Sequence, residues 1–303
     1  MKNPPPLKNF LDPLFSRYHR REYLVSDPLE FVHQFTDPWD QEVVAILAAL
    51  LAYGNVRQIR ASVQDALSRM SEVSQSPQDY VRRVNESRVQ DAMRGWVHRF
   101  NTGDDLILLF QLIHQSWQKW GSVGAHLISH HSESAQNIEA ALNGLMGDWV
   151  QGLPQSASTG SVRYFLTAPK DGSCCKRWCM LLRWMVRKDE LDLGLWGTGS
   201  GLEKTFPQGR FVHSHQLVIP LDTHTGRISQ YIGLTERKSL GWAAALEVTQ
   251  ALKKANADDP VRYDFALSRL GILSLCQKKF RAEICEKCDL LPSCRFARRS
   301  LKS

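Results

Sequence analysis

The stretch "DGSCCKRWCMLLRWMVRK", residues 171–188, decides how the chain is read. Lys176, Arg183 and Arg187 recur at spacings of seven and four, while Trp178, Cys179, Leu182, Met185 and Val186 fall largely on the opposite side. That period is helical, not extended, and predicts a helix over 173–186. "PKDGS" just ahead of it reads as a turn, with Gly172 free to take positive φ. A glycine turn feeding a helix N-terminus presents backbone N–H groups to which phosphate binds. Lys176 in the first turn has three readings on spacing alone: a solvated side chain, a phosphate contact or a nucleophile.

The same helical period extends outward in both directions. "TDPWDQEVVAILAALLAYG" carries Thr36 or Asp37 as a cap and Pro38 at the first helical position. It is apolar nearly all round, as a buried helix must be. Helices are expected again at "NVRQIRASVQDALSRM", "QDYVRRV", "SRVQDAMRGWVHRF", "DDLILLFQLIHQSWQKWG" and "SAQNIEAALNGLMGDWVQGL". "QSASTGS" reads as a polar linker. After Lys188 the chain turns rich in Gly, Pro and Ser, which predicts a loop. Helical pattern returns at "GRISQYIGL", at "LGWAAALEVTQALKKAN", and at "DPVRYDFALSRLGILSLC", with Asp258 or Asp259 leading and Pro260 at the first position. The fold class expected is all-α, in two helical lobes.

Between the loop and the later helices lies "VIPLDTHTGRIS". Asp222 follows an apolar segment and leads straight into a helix, so it reads first as a cap. A cap carboxylate is also rigidly held and kept ionised by the helix dipole, which suits it to stabilise positive charge or to receive a proton. His213 and His215 in H-x-H register have no evident carboxylate partner, and metal binding is not expected of them.

The tail holds Cys276, Cys285, Cys288 and Cys294 in the pattern C-x8-C-x2-C-x5-C. Four thiols within nineteen residues of polar sequence form a compact ligand set. It suits a [4Fe–4S] cluster or, as the alternative, structural zinc. Seven cysteines in a chain with no visible secretory leader point to metal or burial rather than disulfides. The longest apolar run is too short to span a bilayer, so a soluble, cytoplasmic protein with no membrane partner is expected.

The net charge is +7 over 303 residues, unevenly spread. Residues 161–188 carry seven Lys/Arg and one acid; residues 276–303 carry eight Lys/Arg and three acids. Two local basic patches favour a polyanionic partner more than the total does.

A glycine turn before a helix with an early lysine, then "DTH" with an arginine three residues beyond the histidine, then a terminal four-cysteine loop: this order resembles the helix-hairpin-helix DNA glycosylase superfamily that includes endonuclease III. There the cysteine loop is C-x6-C-x2-C-x5-C. "DGSCCKRWCMLLRWMVRKD", "DLGLW", "IPLDTH" and "DPVRYDFALSRLGI" are more closely similar to an uncharacterised bacterial family related to archaeal 8-oxoguanine glycosylases. This chain departs in having one hairpin glycine rather than two, and in placing Asp222 46 positions after Lys176.

The resemblance implies an N-terminal extension over 1–26 and a helical domain over 27–275. That domain would have two lobes around a helix-hairpin-helix element and an insert at about 189–216. A four-cysteine iron–sulfur loop with a basic tail would follow over 276–303. It implies base-excision repair of double-stranded DNA by a monomer, with glycosylase and lyase activity toward an oxidised purine such as 8-oxoguanine. Lys176 would be the nucleophile, Asp222 its acid–base partner, and Cys276, Cys285, Cys288 and Cys294 the cluster ligands. Lys170, Gly172, Ser173, Arg177 and Arg183 would meet phosphates. Asn55, in "LAYGNV", would approach the lesion or gap, though a helix cap explains it equally well. The alternative is a non-catalytic DNA-binding or damage-sensing protein on the same scaffold.

Overall fold

The computed structural model describes residues 6–157, 160–207 and 210–300. Parts of the expected N-terminal extension, of the "QSASTGS" linker, of the insert and of the basic tail therefore lie outside the described residues. The fold is all-α. The helices that matter below are α1 (Lys8–Tyr18), α2 (Pro38–Leu50), α3 (Val56–Val73), α4 (Gly103–Trp120), α5 (Val123–Ser129), α6 (Glu139–Gln151), α7 (Lys176–Val186), α8 (Thr223–Tyr231), α9 (Trp242–Lys253) and α10 (Asp264–Ile272). Among the described residues, no helix is long and apolar enough to cross a membrane.

The chain divides into two compact units, each assembled from separated segments. The first takes residues 1–23, 172–183 and 213–303; the second takes 24–171 and 184–212. Helix α7 belongs to the first unit through Arg183 and to the second from Trp184.

In the first unit α1 packs against α10, burying Phe10, Leu11 and Leu14. Tyr263 Oη donates to Asp12 Oδ1 at 2.7 Å, and Arg269 Nη1 donates to the Tyr23 carbonyl at 3.0 Å. The segment from Lys8 to Tyr23 thus packs within the first unit. Helix α8 also packs on α10, with the His224 side chain over Gly271; a Cβ there would lie 2.5 Å from the imidazole. The four-cysteine segment belongs to the same unit and is not a domain apart.

In the second unit α2 is the axis. Asp37 caps it, accepting from the backbone of Trp39 and Asp40, and every residue from Val43 to Leu51 is fully buried. One acidic side chain of that helix is entirely out of water. Glu42 is buried and accepts four N–H groups: Trp117 Nε1 at 2.7 Å, Trp196 Nε1 at 2.8 Å, and the backbone of Val123 and Gly124, both at 3.1 Å. A single carboxylate thereby ties α2 to α4, to the start of α5 and to the loop after α7. A Cβ on Gly124 would meet the Trp196 indole at 2.5 Å, so glycine is what lets that ring reach Glu42.

Three expectations differ from what is found. "SRVQDAMRGWVHRF" is helical only over Ser87–Asp91; Gly95 and Arg99 take positive φ, and β1 (Val97–His98) pairs antiparallel with β2 (Asn101–Thr102). Helix α5 lies in "GSVGAHLISH", where Ser122 caps it by accepting from the Ala125 backbone. The segment after Asp259 begins as a 3-10 turn, Pro260–Tyr263, before α10.

Removing the hub carboxylate without replacing its acceptor atoms leaves two indole and two backbone N–H groups buried and unbonded. At roughly 1–3 kcal/mol per stranded group, with partial relaxation, Glu42→Leu is expected to destabilise the protein by about 4 kcal/mol. Urea denaturation followed by tryptophan fluorescence reads this directly.

Candidate functional site

Helix α7 starts at Lys176, three residues later than its periodicity predicts, because Cys175 takes positive φ (47°) after Gly172 (75°). The turn is knitted by thiols and carbonyls. Cys174 Sγ donates to the Leu221 carbonyl at 3.3 Å, Cys175 Sγ to Ser173, and Cys179 Sγ to Cys174. The Trp242 backbone N–H donates to the Gly172 carbonyl at 3.1 Å. A Cβ on Gly241 would lie 2.7 Å from that same oxygen, so α9 begins in direct backbone contact with the turn. Burial keeps the Cys179 thiol well above its ordinary range, so it remains a thiol. The three cysteines around Lys176 act as internal donors and packing, not as ligands.

The Cys174–Leu221 bond fixes the head of α7 beside the residue preceding Asp222. Asp222 caps α8, accepting from the His224 backbone at 2.8 Å and the Thr225 backbone at 2.7 Å through one oxygen, Oδ1. Lys176 is half-buried, with Nζ 3.5 Å from Met180 Sδ.

The residue that joins these two is Asp264, at the start of α10, which the sequence reading passed over. It is 4% exposed and accepts from Arg183 Nη1 at 2.6 Å. Burial pushes its carboxyl up to about 6; Arg183 opposes this, Asp222 adds to it and Lys176 works against it. Lys176, Asp222, Asp264 and Arg183 therefore form one electrostatic group within the first unit. The available signal was positional: Asp264 lies beside Phe265 and about one turn from Val261 and Ser268, an acid among mostly apolar neighbours.

Arg183 is 2% exposed and bonded to Asp264, and Arg177 is 8% exposed. Neither is a phosphate contact as expected from the motif, because α7 is buried on every side from Arg177 to Arg187. Arg187, the third member of the expected basic stripe, pairs with Asp189 and Asp192. Ser173 Oγ accepts from the Cys175 backbone, while Gly172 and Lys170 are exposed. Asn55 is exposed and caps α3, accepting from the Arg57 backbone at 2.9 Å; it starts the following helix and does not end α2. Asn55 and Lys170 belong to the second unit, whereas Lys176, Asp222 and the four tail cysteines belong to the first. His213 and His215 stack face to face at 5.5 Å.

Cys276, Cys285, Cys288 and Cys294 are all half-buried and line one hollow walled by Ile228, Tyr231, Leu270 and Leu290. Burial pushes the Cys276 thiol up to about 11, Arg227 pulls it down, and the other three cysteines raise it, so all four lie within electrostatic reach. Arg227 of the "DTH...R" element donates to the Cys276 carbonyl at 3.0 Å, which couples α8 to the cysteine loop. The Ala297 backbone N–H donates to Cys294 Sγ at 3.4 Å. Among the described residues, the His, Cys, Asp and Glu ligand atoms that gather in threes within 4.8 Å are those of His126, His130 and Asp148.

A model of the family described as "Protein of unknown function (DUF2400)" matches residues 27–273. The chain belongs to that family. The match includes Lys176, Asp222 and Asp264 and ends before the first tail cysteine. No curated protein and no solved structure matches the chain.

The raised Asp264 has a consequence for stability. Its ordinary value is 3.8 and its folded value about 6, so between those values the folded protein holds a proton that the unfolded chain releases. Its contribution is fully present below about pH 4 and is lost as pH rises through about 6. In Asp264→Asn this group's share of the downward slope disappears. Urea midpoints taken across this window for both proteins test it.

Proposed function

We propose that this protein is a base-excision DNA glycosylase with associated lyase activity, acting on an oxidised purine such as 8-oxoguanine in duplex DNA. The observation that carries the reading is the Cys174–Leu221 bond, which holds the head of the Lys176 helix beside the residue before Asp222, with Arg227 linking the same element to a four-cysteine hollow.

The damaged nucleotide is turned out of the stack to reach the chemistry. The Lys176 amine lone pair forms a bond to the sugar C1′ as the C1′–N bond to the base breaks, and the base leaves with that electron pair and takes up a proton. Asp222 accepts the proton lost by the amine and stabilises positive charge on the opening sugar. Collapse to a Schiff base then permits β-elimination, which breaks the C3′–O bond and nicks the strand. Asp264 and Arg183 touch no reacting atom in this scheme; they are positioning residues that fix α7 against α10. The exposed Lys170 and Gly172 supply phosphate contacts.

The asymmetric C-x8-C-x2-C-x5-C spacing of the four tail cysteines, with one C-x2-C pair rather than two, favours a [4Fe–4S] cluster over zinc. The group itself supplies a rigid brace for the loop when bound. The chain's own part is the Arg227 bond to the Cys276 carbonyl and the Ala297 N–H to Cys294 Sγ, which orient two of the ligands.

Borohydride trapping on duplexes carrying 8-oxoguanine and a panel of other lesions tests the chemistry. A covalent adduct is expected with the wild type and not with Lys176→Gln. No adduct on any duplex, with binding retained, identifies a damage sensor instead. Anaerobic purification is expected to give a brown protein with about four irons per chain; stoichiometric zinc in its place overturns the cluster assignment.

A further inference from the structure

A second group of ligand-bearing side chains lies in the second unit, with no part in the chemistry above. His126 lies in α5, His130 follows four residues later as its C-cap, and Asp148 faces them from α6. His126 Nε2 is 3.0 Å and His130 Nε2 is 3.1 Å from the same atom, Asp148 Oδ2. These three atoms all lie within 4.8 Å of one another.

The hydrogen bonds behind His126 determine what its Nε2 offers. Ser116 Oγ donates its only hydrogen to the Leu112 carbonyl at 2.9 Å and accepts from Trp149 Nε1 at 2.9 Å. Its 2.9 Å contact with His126 Nδ1 is then made by the ring's own N–H. In that tautomer the lone pair of the neutral imidazole is on Nε2, pointing at a carboxylate oxygen 3.0 Å away. Two lone pairs at that distance repel unless a proton or a cation sits between them. An imidazole that donates through Nδ1 to a fixed partner and presents Nε2 is also the arrangement in which histidine binds metals.

His130 is seated by a gap in the facing helix. A Cβ on Gly144, one turn before Asp148 on α6, would lie 2.4 Å from the His130 ring. Glycine at that position is what allows the imidazole to lie against α6 and turn Nε2 toward Asp148. The spacing is right for a metal: bonds of about 2.0–2.2 Å to nitrogen and oxygen place ligand atoms roughly 3.3 Å apart on a tetrahedron. His126 and Asp148 also line a hollow with Gln115, Lys119, Trp120 and Gln151, which leaves room for a fourth, exchangeable ligand.

We propose that His126 Nε2, His130 Nε2 and Asp148 Oδ2 bind a divalent transition metal, zinc foremost, with a fourth position open to that hollow. Two imidazoles and one carboxylate suit zinc and cobalt over magnesium or calcium, which prefer all-oxygen sites.

The full chain, stripped with a chelator and titrated with cobalt(II), tests this. One cobalt is expected to bind with visible d–d absorption and no thiolate charge-transfer band, and zinc should displace it. His130→Ala and Asp148→Asn both alter half-exposed side chains and should keep native circular dichroism while losing the visible band. Ser116→Ala should weaken binding by about 10- to 100-fold, and Cys288→Ser should leave the band intact. The proposal is overturned by no cobalt uptake, by uptake that survives both His130→Ala and Asp148→Asn, or by uptake that Cys288→Ser abolishes.

Discussion

A guanidinium and a carboxylate, both nearly out of water, hold the centre of the first unit. Arg183 near the far end of its share of α7 donates to Asp264 at the start of α10. Stripping water from two charges is expensive, and a bare pair of this kind often contributes little net stability. Its effect is on geometry: neither helix can slide or rotate without stranding a buried charge. Because α10 also receives α1 and α8, the placement of Asp222 at the α8 N-terminus and of Lys176 at the head of α7 both trace back to this pair. The second unit uses a different device to the same end, with one carboxylate, Glu42, taking four donors from three other parts of the chain.

Most of the helices were legible because their cues are local. Asp37 with Pro38, Gly121 after a long amphipathic run, and Asp222 before "THTGRIS" all act within a few residues of themselves. The hairpin at 97–102 was not legible, since "MRGWVHRF" has helical spacing and only the positive φ of Gly95 and Arg99 breaks it. Helix α5 was missed for the opposite reason. Its seven residues are too few for periodicity to register, and its stability comes from a serine cap and from Glu42, far away in sequence.

The site was legible in its order along the chain and less so in its electrostatics. Lys176, Asp222 and the cysteines could be picked out by residue type and succession. The expected phosphate-binding arginines could not be told from buried ones, because Arg at helical spacing looks the same whether it faces solvent or an acid. Arg183 finds Asp264 eighty-one residues later, and nothing near either residue announces the other. The same limit applies to His126, His130 and Asp148. "HLISHH" shows two histidines a turn apart, but Ser116, Gly144 and Asp148, which give them meaning, come from two other helices.

The order in which the first unit's segments occur along the chain has a consequence for how it is made. Helix α1 finishes at Tyr18, yet the surface it covers, α10, ends at Ile272. At roughly 5–20 residues per second, α1 leaves the ribosome some tens of seconds before its partner is complete. Throughout that interval Phe10, Leu11 and Leu14 lack the helix they pack against. The second unit, complete by residue 212, has all of its sequence available first. The first unit must therefore close last, drawing the oldest and the newest parts of the chain together around α10.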